Sequence, residues 1–356
     1  MDRIQFDRDD IKCYLEETDE RGRKVNTNYS ERENDFIKNI KGITTLKNSL
    51  DEETGFFEIL RKLDKMMLGE DSDGRTVADK YGYLSEAEVE EILKWIFVER
   101  YVVAHAEDNT DEKPMNIALQ DFISDKYDSG VHFFEEILQN IDDAIGRTKD
   151  LRDENNNVEI SWKDKKIIFT YPDRGFSFYD LMAITSLGNS IKKGDLEHAS
   201  IGEKGIGFKS VFSVAKQVDI TSKYFSFGIK YDRERKASVL QPDYIELNED
   251  RLNATVLEIT FFDEFEKVGF RTQLRNWLFA NEKDNYLNYS PFLFLKKVKE
   301  ISYSEDDMDP NSVKSVKIER TSIENTVLIL RILCPNGNST LITFCLDIEE
   351  IVSIAY

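Results

Sequence analysis

Cysteine and histidine are scarce in this sequence of 356 residues, which contains three of each. Cys13, Cys334 and Cys345 are widely spaced and form no paired-cysteine motif, so neither a structural zinc site nor a dithiol redox site is expected. The simplest interpretation is three reduced thiols in a cytoplasmic protein.

Long apolar runs and clusters of basic residues are also lacking. No stretch approaches about 18 consecutive apolar residues, and the charged N-terminus does not have the form of a signal peptide, so we expect no membrane span and no secretion by that route. The formal net charge is −21, and no run of lysines or arginines offsets it. Direct binding to nucleic acid or to an anionic membrane is therefore not expected.

What the sequence does contain favours a folded protein of several parts. Hydrophobic residues make up 40% of the chain and aromatic residues 12%, with only six prolines, which argues against extended disorder. Residues 1–48 are interpreted as a charged arm and residues 49–118 as a helical region, in which Val89, Ile92, Leu93 and Ile96 have helical spacing. The polar segment 107–114 is a candidate boundary.

The segment VHFFEEILQNIDDAIG (131–146) predicts an amphipathic helix. At about 100° per residue, its apolar residues fall on one side. They are Phe134, Ile137, Leu138, Ile141 and Ile145. Glu136, Asn140 and Asp143 lie within about 60° of one another on the opposite side. Taken alone, these three residues would be a solvated helix face.

The rest of the chain alternates strand-like segments with two helix-like ones. Residues 158–162 and 166–171 predict a hairpin, and further strands are predicted in VDITS, YFSFGIKYD, ASVLQ and ATVLEITFF. DLMAITSLG and EKVGFRTQLRNWLFANE are helix-like, and the region from residue 295 onward is rich in strands. The pattern predicts an α+β fold with many antiparallel strands rather than alternating βαβ units.

The stretch IGEKGIGFKS (201–210) has the composition of a phosphate-binding loop, but it fits neither common motif. In a Walker loop, lysine follows the second glycine directly, whereas Phe208 stands here between Gly207 and Lys209. Near a helix start, that insertion would rotate the lysine by about 100°, away from the phosphates. A dinucleotide fingerprint needs G-x-G-x-x-G after a strand, and the order here is G-x-x-G-x-G. A glycine-rich surface turn is the remaining interpretation of the loop by itself.

Four motifs together resemble the ATP-binding domain of the GHKL superfamily (gyrase, heat-shock chaperone, histidine kinase and MutL). In order, they are E-x-x-x-N on a helix, D-x-G after a strand, G-x-x-G-x-G-F, and a threonine entering a strand. The matching residues are Glu136 and Asn140, then Asp173 and Gly175, then Gly202, Gly205, Gly207 and Phe208, and finally Thr255. HFFEEILQNIDDA, GFSFYDLMAITSLGNSIKK and IGEKGIGFKSVF are most similar to the sacsin and plant NO VEIN type, and the resemblance covers roughly residues 120–305.

This resemblance implies the fold and the division of the chain. The fold is expected to be a two-layer α/β sandwich of the Bergerat type, with a mixed, mostly antiparallel sheet. Residues 119–265 would form the ATP-binding domain, 266–290 a helical connector and 291–356 a β-rich, transducer-like segment. Because the last segment stops without a terminating signal, it is expected to be the beginning of a β-rich domain.

The resemblance also assigns roles on the predicted helix 131–146. Glu136 would act as the general base that positions the attacking water, and Asn140 would coordinate Mg²⁺ between the phosphates. Asp143 would be a further nucleotide contact.

The adenine base would be bound by residues from two other motifs. Asp173 would accept a hydrogen bond from the exocyclic amine of adenine, Gly175 would let the backbone approach the purine ring, and Thr255 would complete the base contact. Many relatives have glycine where this chain has Ser177, so the adenine side of the pocket is expected to differ slightly.

The phosphates would be bound by a lid and by the glycine loop. Gly188, Asn189 and Lys192 are the expected lid residues, although Lys192 with its neighbour could equally be a solvated lysine pair. The loop residues expected at the phosphates are Gly202, Gly205, Ile206, Gly207 and Phe208, with the backbone N–H groups as donors. A basic residue from the following segment would complete the site, and Lys296, Lys297 and Lys299 are the candidates.

These expectations describe an ATP- and Mg²⁺-dependent conformational switch with slow hydrolysis, of a chaperone-like or defence-type regulatory kind. Its ligands would be ATP and ADP, and it would self-associate or bind a partner protein through the lid and the N-terminal region. One alternative is a nucleotide-sensing module without turnover. Another is a MutL-like DNA-processing factor, which the acidic charge disfavours; a histidine kinase is disfavoured because no phospho-acceptor helix is evident.

Overall fold

The computed structural model describes residues 85–87, 89–90, 92–93, 96, 132–146, 156–185, 208–223, 226–231, 240–246, 254–263, 268–278, 295–306, 314–323, 327–333 and 339–345.

Helices and strands within these ranges follow in the order α1, β1, β2, α2, a short 3-10 helix, β3 to β6, α3 and β7 to β10. The helices are α1 (His132–Gly146), α2 (Phe178–Thr185), the 3-10 helix (Ser210–Ser213) and α3 (Val268–Leu278). The strands are β1 (Asn157–Lys163), β2 (Lys166–Tyr171), β3 (Ala215–Thr221), β4 (Ser226–Lys230), β5 (Pro242–Tyr244), β6 (Thr255–Phe261), β7 (Glu300–Glu305), β8 (Lys314–Ile323), β9 (Val327–Leu333) and β10 (Ser339–Cys345).

The ten strands form a single sheet in the order β10-β9-β8-β7-β1-β2-β6-β3-β4-β5. Within the described chain every neighbouring pair is antiparallel except β1 and β7, which are parallel. The fold is thus α+β with a mixed, mostly antiparallel sheet, as the sequence predicted. The strands of the region after residue 295 continue the same sheet through the β1–β7 pair, whereas the predicted domain boundaries stay a prediction.

The hairpin β1–β2 forms where its alternating pattern predicted it. Val158, Ile160 and Trp162 of β1 are buried and alternate with exposed or half-exposed residues. Asp164 makes the tight turn with φ of 50°, a left-handed conformation that aspartate tolerates better than most residues. The indole Nε1 of Trp162 donates to the Asp164 carbonyl at 3.1 Å and closes the turn.

One face of the sheet is covered by α1 and α3 through aromatic contacts. Phe133 of α1 lies 6.1 Å from both Phe261 of β6 and Phe270 of α3, measured between ring centroids, and Phe134 lies 5.1 Å from Phe169 of β2. All the residues placed on the apolar side of α1 by helical periodicity are buried. The core therefore lies between this face and the helices, and α1 packs across the centre of the sheet.

Differences from the sequence-based expectations are small. A strand was predicted in residues 237–241, but Leu240 and Gln241 are not in a strand, and β5 begins one residue later, at Pro242. Proline is tolerated there because β5 is an edge strand. In the predicted helical region 49–118, the described residues 86–96 are helical, and Val89, Ile92, Leu93 and Ile96 are buried. No helix in the described ranges is both long enough and apolar enough to cross a lipid bilayer.

Candidate nucleotide-binding site

Two of the four sequence motifs meet directly at one end of the sheet. The Thr255 hydroxyl donates to Asp173 Oδ1 at 2.6 Å, joining residues that are 82 positions apart in the chain. Strand register explains the contact, because Thr255 opens β6 opposite Tyr171, the last residue of β2, and Asp173 follows just after. Thr255 is completely buried, whereas Asp173 is partly exposed. The buried hydroxyl thus fixes a carboxylate that remains accessible from outside.

The turn after Asp173 is shaped by the glycine of the same motif. Gly175 donates its N–H to Asp173 Oδ1 at 2.9 Å and has φ of 91°, a conformation that residues with a Cβ rarely adopt. The N–H of Phe176 then donates to the Ser222 hydroxyl at 2.9 Å, which ties the turn to the end of β3. The backbone therefore approaches the end of the sheet at Gly175 without a side chain in the way.

Ser177 begins α2 as part of a capping box. Its hydroxyl accepts from the Asp180 N–H, and its own N–H donates to Asp180 Oδ2, both at 3.0 Å. Reciprocal bonds of this kind satisfy donors that a helix start otherwise leaves unpaired. Ser177 is buried, so the residue that departs from the family pattern has a structural role at the start of α2.

The polar residues of α1 form the third part of the candidate site. Glu136, Asn140 and Asp143 are all partly exposed, in contrast to the buried residues on the other side of the helix. These residues include a carboxylate and an amide one turn apart on a rigid helix. The carboxylate is suited to act as a base, and the amide oxygen is suited to bind Mg²⁺. The helix crosses the sheet on the face where Asp173 and Thr255 meet.

The residues that follow the glycine loop lie next to α1. The 3-10 helix after Phe208 and Lys209 packs against both α1 and β3. Phe208 is buried, with its ring 6.4 Å from that of Phe212 in an edge-to-face contact, so its ring anchors this segment in the core. The Lys209 side chain also lies in the interior.

The remaining predicted site residues lie outside the described part of the chain. They are Gly188, Asn189, Lys192, Gly202, Gly205, Ile206 and Gly207.

Asp142 is a buried residue of α1 to which the sequence motifs gave no role. Only 4% of its surface is exposed, and its carboxylate accepts three backbone hydrogen bonds: from Lys296 at 2.8 Å, Lys297 at 2.7 Å and Val298 at 2.8 Å. The sequence did contain a signal for this role. Asp142 lies at the edge of the apolar stripe, about 120° from Glu136 around the helix, where a carboxylate is expected to be partly buried.

The lysines proposed to complete the site lie near the C-terminal end of α1. The side chain of Lys297 packs against Gly146, where an added Cβ would lie 3.2 Å from Lys297 Cγ. Gly146 is about 15 Å beyond Glu136 along the helix axis. Lys299 N–H donates to the Asn156 carbonyl at 2.8 Å, also at this end of the sheet. The Lys297 side chain therefore packs at the end of α1 that is remote from Glu136.

The α+β fold and the contact between two of the four motifs agree with the resemblance to the GHKL-type ATP-binding domains. No family model matches the chain. The chaperone protein HtpG of Aliarcobacter butzleri is 28% identical over 211 residues, which are 53% of this chain and 33% of that protein. Human sacsin is 26% identical over 129 residues, 33% of this chain and 3% of sacsin, and the Arabidopsis thaliana protein NO VEIN is 34% identical over 115 residues, 32% of this chain and 4% of NO VEIN.

These similarities confirm the resemblance read from the motifs: the chain is a homologue of proteins that carry GHKL-type ATPase domains, including those of the sacsin and NO VEIN type. It spans a third or less of the length of these relatives.

Proposed function

We propose that this chain binds Mg²⁺–ATP and acts as an ATP-dependent conformational switch with slow hydrolysis, in a chaperone-like or defence-type regulatory role. The observation that carries the proposal is the contact between Thr255 and Asp173, which unites two of the four motifs at one end of the sheet. Similarity to the HtpG chaperones supports the same class of activity.

The adenine base would bind at Asp173. With Oδ1 held by Thr255 and Gly175, the carboxylate has a fixed orientation from which it can accept the exocyclic amine of adenine. Neither contact requires the carboxylate to move when the ligand arrives, so little orientational freedom is lost on binding.

The phosphates would lie beside the polar face of α1. Asn140 would hold Mg²⁺, which neutralises charge on the phosphates when it is bound, and Asp143 would assist nucleotide binding. Glu136 would take the proton of the attacking water. Backbone N–H groups of the glycine loop, at Gly202, Gly205, Ile206, Gly207 and Phe208, would hold the phosphate oxygens.

The lid would include Gly188, Asn189 and Lys192, and its closure over ATP would create a surface for self-association or for a partner protein, together with the N-terminal region. We place this switch in the cytoplasm. A basic residue would still be needed to complete the site, and because Lys297 packs on Gly146, we expect Lys297 to take that role only after a rearrangement of the segment that holds it.

Substituting Glu136→Gln tests the hydrolytic step. The change keeps the shape of the side chain but removes the base, so we expect ATP affinity within about threefold of the wild type and turnover reduced by about 100-fold or more. Glu135→Gln, one position earlier in the same helix, is the matched control and should retain turnover. Calorimetry with Mg²⁺–ATP and a phosphate-release assay make the two measurements.

Asp173→Asn tests the base contact in the same assays. An amide would present a donor or a weaker acceptor to the adenine amine, so binding should weaken by at least about tenfold. Unchanged affinity in this variant would contradict the assignment of the base site.

The wild type tests the alternative function. Tight binding of Mg²⁺–ATP without phosphate release would identify a nucleotide-sensing module.

A further inference from the structure

The Asp142 carboxylate connects two parts of the chain that are far apart in sequence. Its three acceptor bonds, at 2.7 to 2.8 Å, go to consecutive backbone N–H groups of residues 296–298. A carboxylate so deeply buried is strongly destabilising without donors, and three amides aimed at it satisfy that need. The contact therefore strongly favours one position of segment 296–298 relative to α1.

The same segment is held from two other sides. Asn156 Nδ2 donates to the Lys297 carbonyl at 3.1 Å, and the Lys299 N–H donates to the Asn156 carbonyl at 2.8 Å. Lys297 also packs on Gly146, the last residue of α1. We call residues 296–298, together with Asp142 and Asn156, the joint.

The joint leads directly into β7. Strand β7 begins at Glu300 and pairs in parallel with β1, while β8, β9 and β10 extend the sheet outward from β7. The joint is thus a point where α1 is hydrogen-bonded to the segment leading to the outer four strands. Any displacement of α1 must either carry residues 296–298 with it or break the bonds to Asp142.

We infer that Asp142 is a positioning residue that transmits nucleotide-dependent movement of α1 to the β7–β10 half of the sheet. The inference rests on the proposed function, because α1 carries the proposed Glu136, Asn140 and Asp143 contacts to ATP. Asp142 lies about 9 Å along the helix axis from Glu136 and about 120° around it. It therefore contacts segment 296–298 and not the proposed nucleotide. One rigid helix thereby carries both contacts.

Hydrogen–deuterium exchange of the 356-residue chain, with and without Mg²⁺–ATP, tests this inference. In the wild type we expect ATP to slow amide exchange in α1 and also to change exchange in residues 296–305, by about fivefold or more. Asp142→Asn exchanges a charged acceptor for a neutral amide and should make the amides of residues 296–298 exchange on the order of tenfold faster. ATP should still protect α1 in this variant, but its effect on residues 296–305 should fall below about twofold.

Two further variants separate transmission from a general loss of stability. Glu305→Gln weakens another buried carboxylate contact of β7, to Tyr303 and Arg275, without touching α1, so it should retain the ATP effect on residues 296–305. Asn156→Ala removes the donor to Lys297 from the side of β1 without leaving a buried carboxylate unsatisfied, and it should reduce the effect even if Asp142→Asn does not fold.

The outcomes distinguish failure of the inference about Asp142 from failure of the proposed function. If the wild type shows no binding of ATP, the proposed function fails and the inference fails with it. If ATP binds and protects α1, but residues 296–305 respond equally in the wild type, Asp142→Asn and Asn156→Ala, the inference alone is overturned. Loss of the response in Glu305→Gln to the same degree would also overturn it, since any weakening of β7 would then suffice.

Discussion

Thr255 has no exposed surface, yet it orients a residue of the candidate site. Its hydroxyl donates to Asp173 Oδ1 at 2.6 Å, a short bond to a charged acceptor. Because the side chain is fully buried, any contribution of Thr255 to the proposed base binding would pass through the orientation of Asp173. At the residue scale, then, Thr255 positions the carboxylate of Asp173, and in the proposed site Asp173 would make the direct contact with adenine.

Thr255→Val should separate these two roles. Valine keeps the shape of threonine and its preference for strands but removes the donor, so we expect ATP affinity to fall about tenfold and the free energy of unfolding to fall by about 1–2 kcal/mol. Calorimetry and urea denaturation give the two quantities. Thr260→Val, on the same strand but on the opposite face, is the matched control and should leave affinity unchanged.

At the scale of elements, residue periodicity explains why α1 and the β1–β2 hairpin were predictable. An apolar stripe at helical spacing and an alternating strand pattern each depend on a few neighbouring residues, and both were confirmed within a residue or two. The polar face of α1 could likewise be placed from spacing. Its assigned roles, and those of the glycine loop, stay predictions that came from the family resemblance.

Contacts between distant segments could not be predicted in this way. Nothing local to residues 296–298 indicates that their N–H groups bond to Asp142, and the parallel pairing of β1 with β7 joins strands that are far apart in the sequence. Backbone donors are the same at every position, so side-chain patterns do not reveal their partners. The packing of Lys297 against Gly146 depends on contacts of the same kind, and the sequence did not choose among Lys296, Lys297 and Lys299.

Helix α2 offers a test of a local element. The hydroxyl of Ser177 accepts from the Asp180 N–H, and the two side chains also bond to each other at 3.0 Å. Ser177→Ala should lower the free energy of unfolding by about 1 kcal/mol, and Ser177→Gly by less. Chemical denaturation monitored by circular dichroism measures both, and a larger loss for glycine than for alanine would argue against the capping role.

At the scale of the whole molecule, the sheet runs without a break from the candidate site to β10. Besides the joint, β7 is attached to helix α3 by three polar side chains, of which Tyr303 and Glu305 are buried and Arg275 is partly exposed. The Tyr303 hydroxyl donates to Glu305 Oε1 at 2.8 Å, and Arg275 of α3 donates to the same oxygen at 3.2 Å. Helix α3 packs on Trp162 of β1 and Phe261 of β6. Its bond to Glu305 therefore links β7–β10 to the rest of the sheet, and we expect the two parts to unfold together.

The same group predicts how stability depends on pH. Burial, reinforced by the hydrogen bond to Glu305 and by its charge, raises the pKa of the Tyr303 phenol far above its ordinary value. The contribution of this group to stability is therefore complete below about pH 10, the pKa of tyrosine in an unfolded chain. It decreases above that pH by up to about 1.4 kcal/mol per pH unit, because the unfolded chain loses the proton while the folded chain retains it.

Tyr303→Phe isolates this contribution from the other tyrosines, which titrate in both proteins. At pH 7 the variant should be less stable by about 1 kcal/mol, since it lacks the bond to Glu305. As the pH rises above about 10, the wild type should lose stability faster than the variant, so the difference should shrink and then reverse. Urea unfolding at about pH 7, 10 and 11 measures the difference, and parallel curves for the two proteins would show that Tyr303 does not hold its proton in the folded chain.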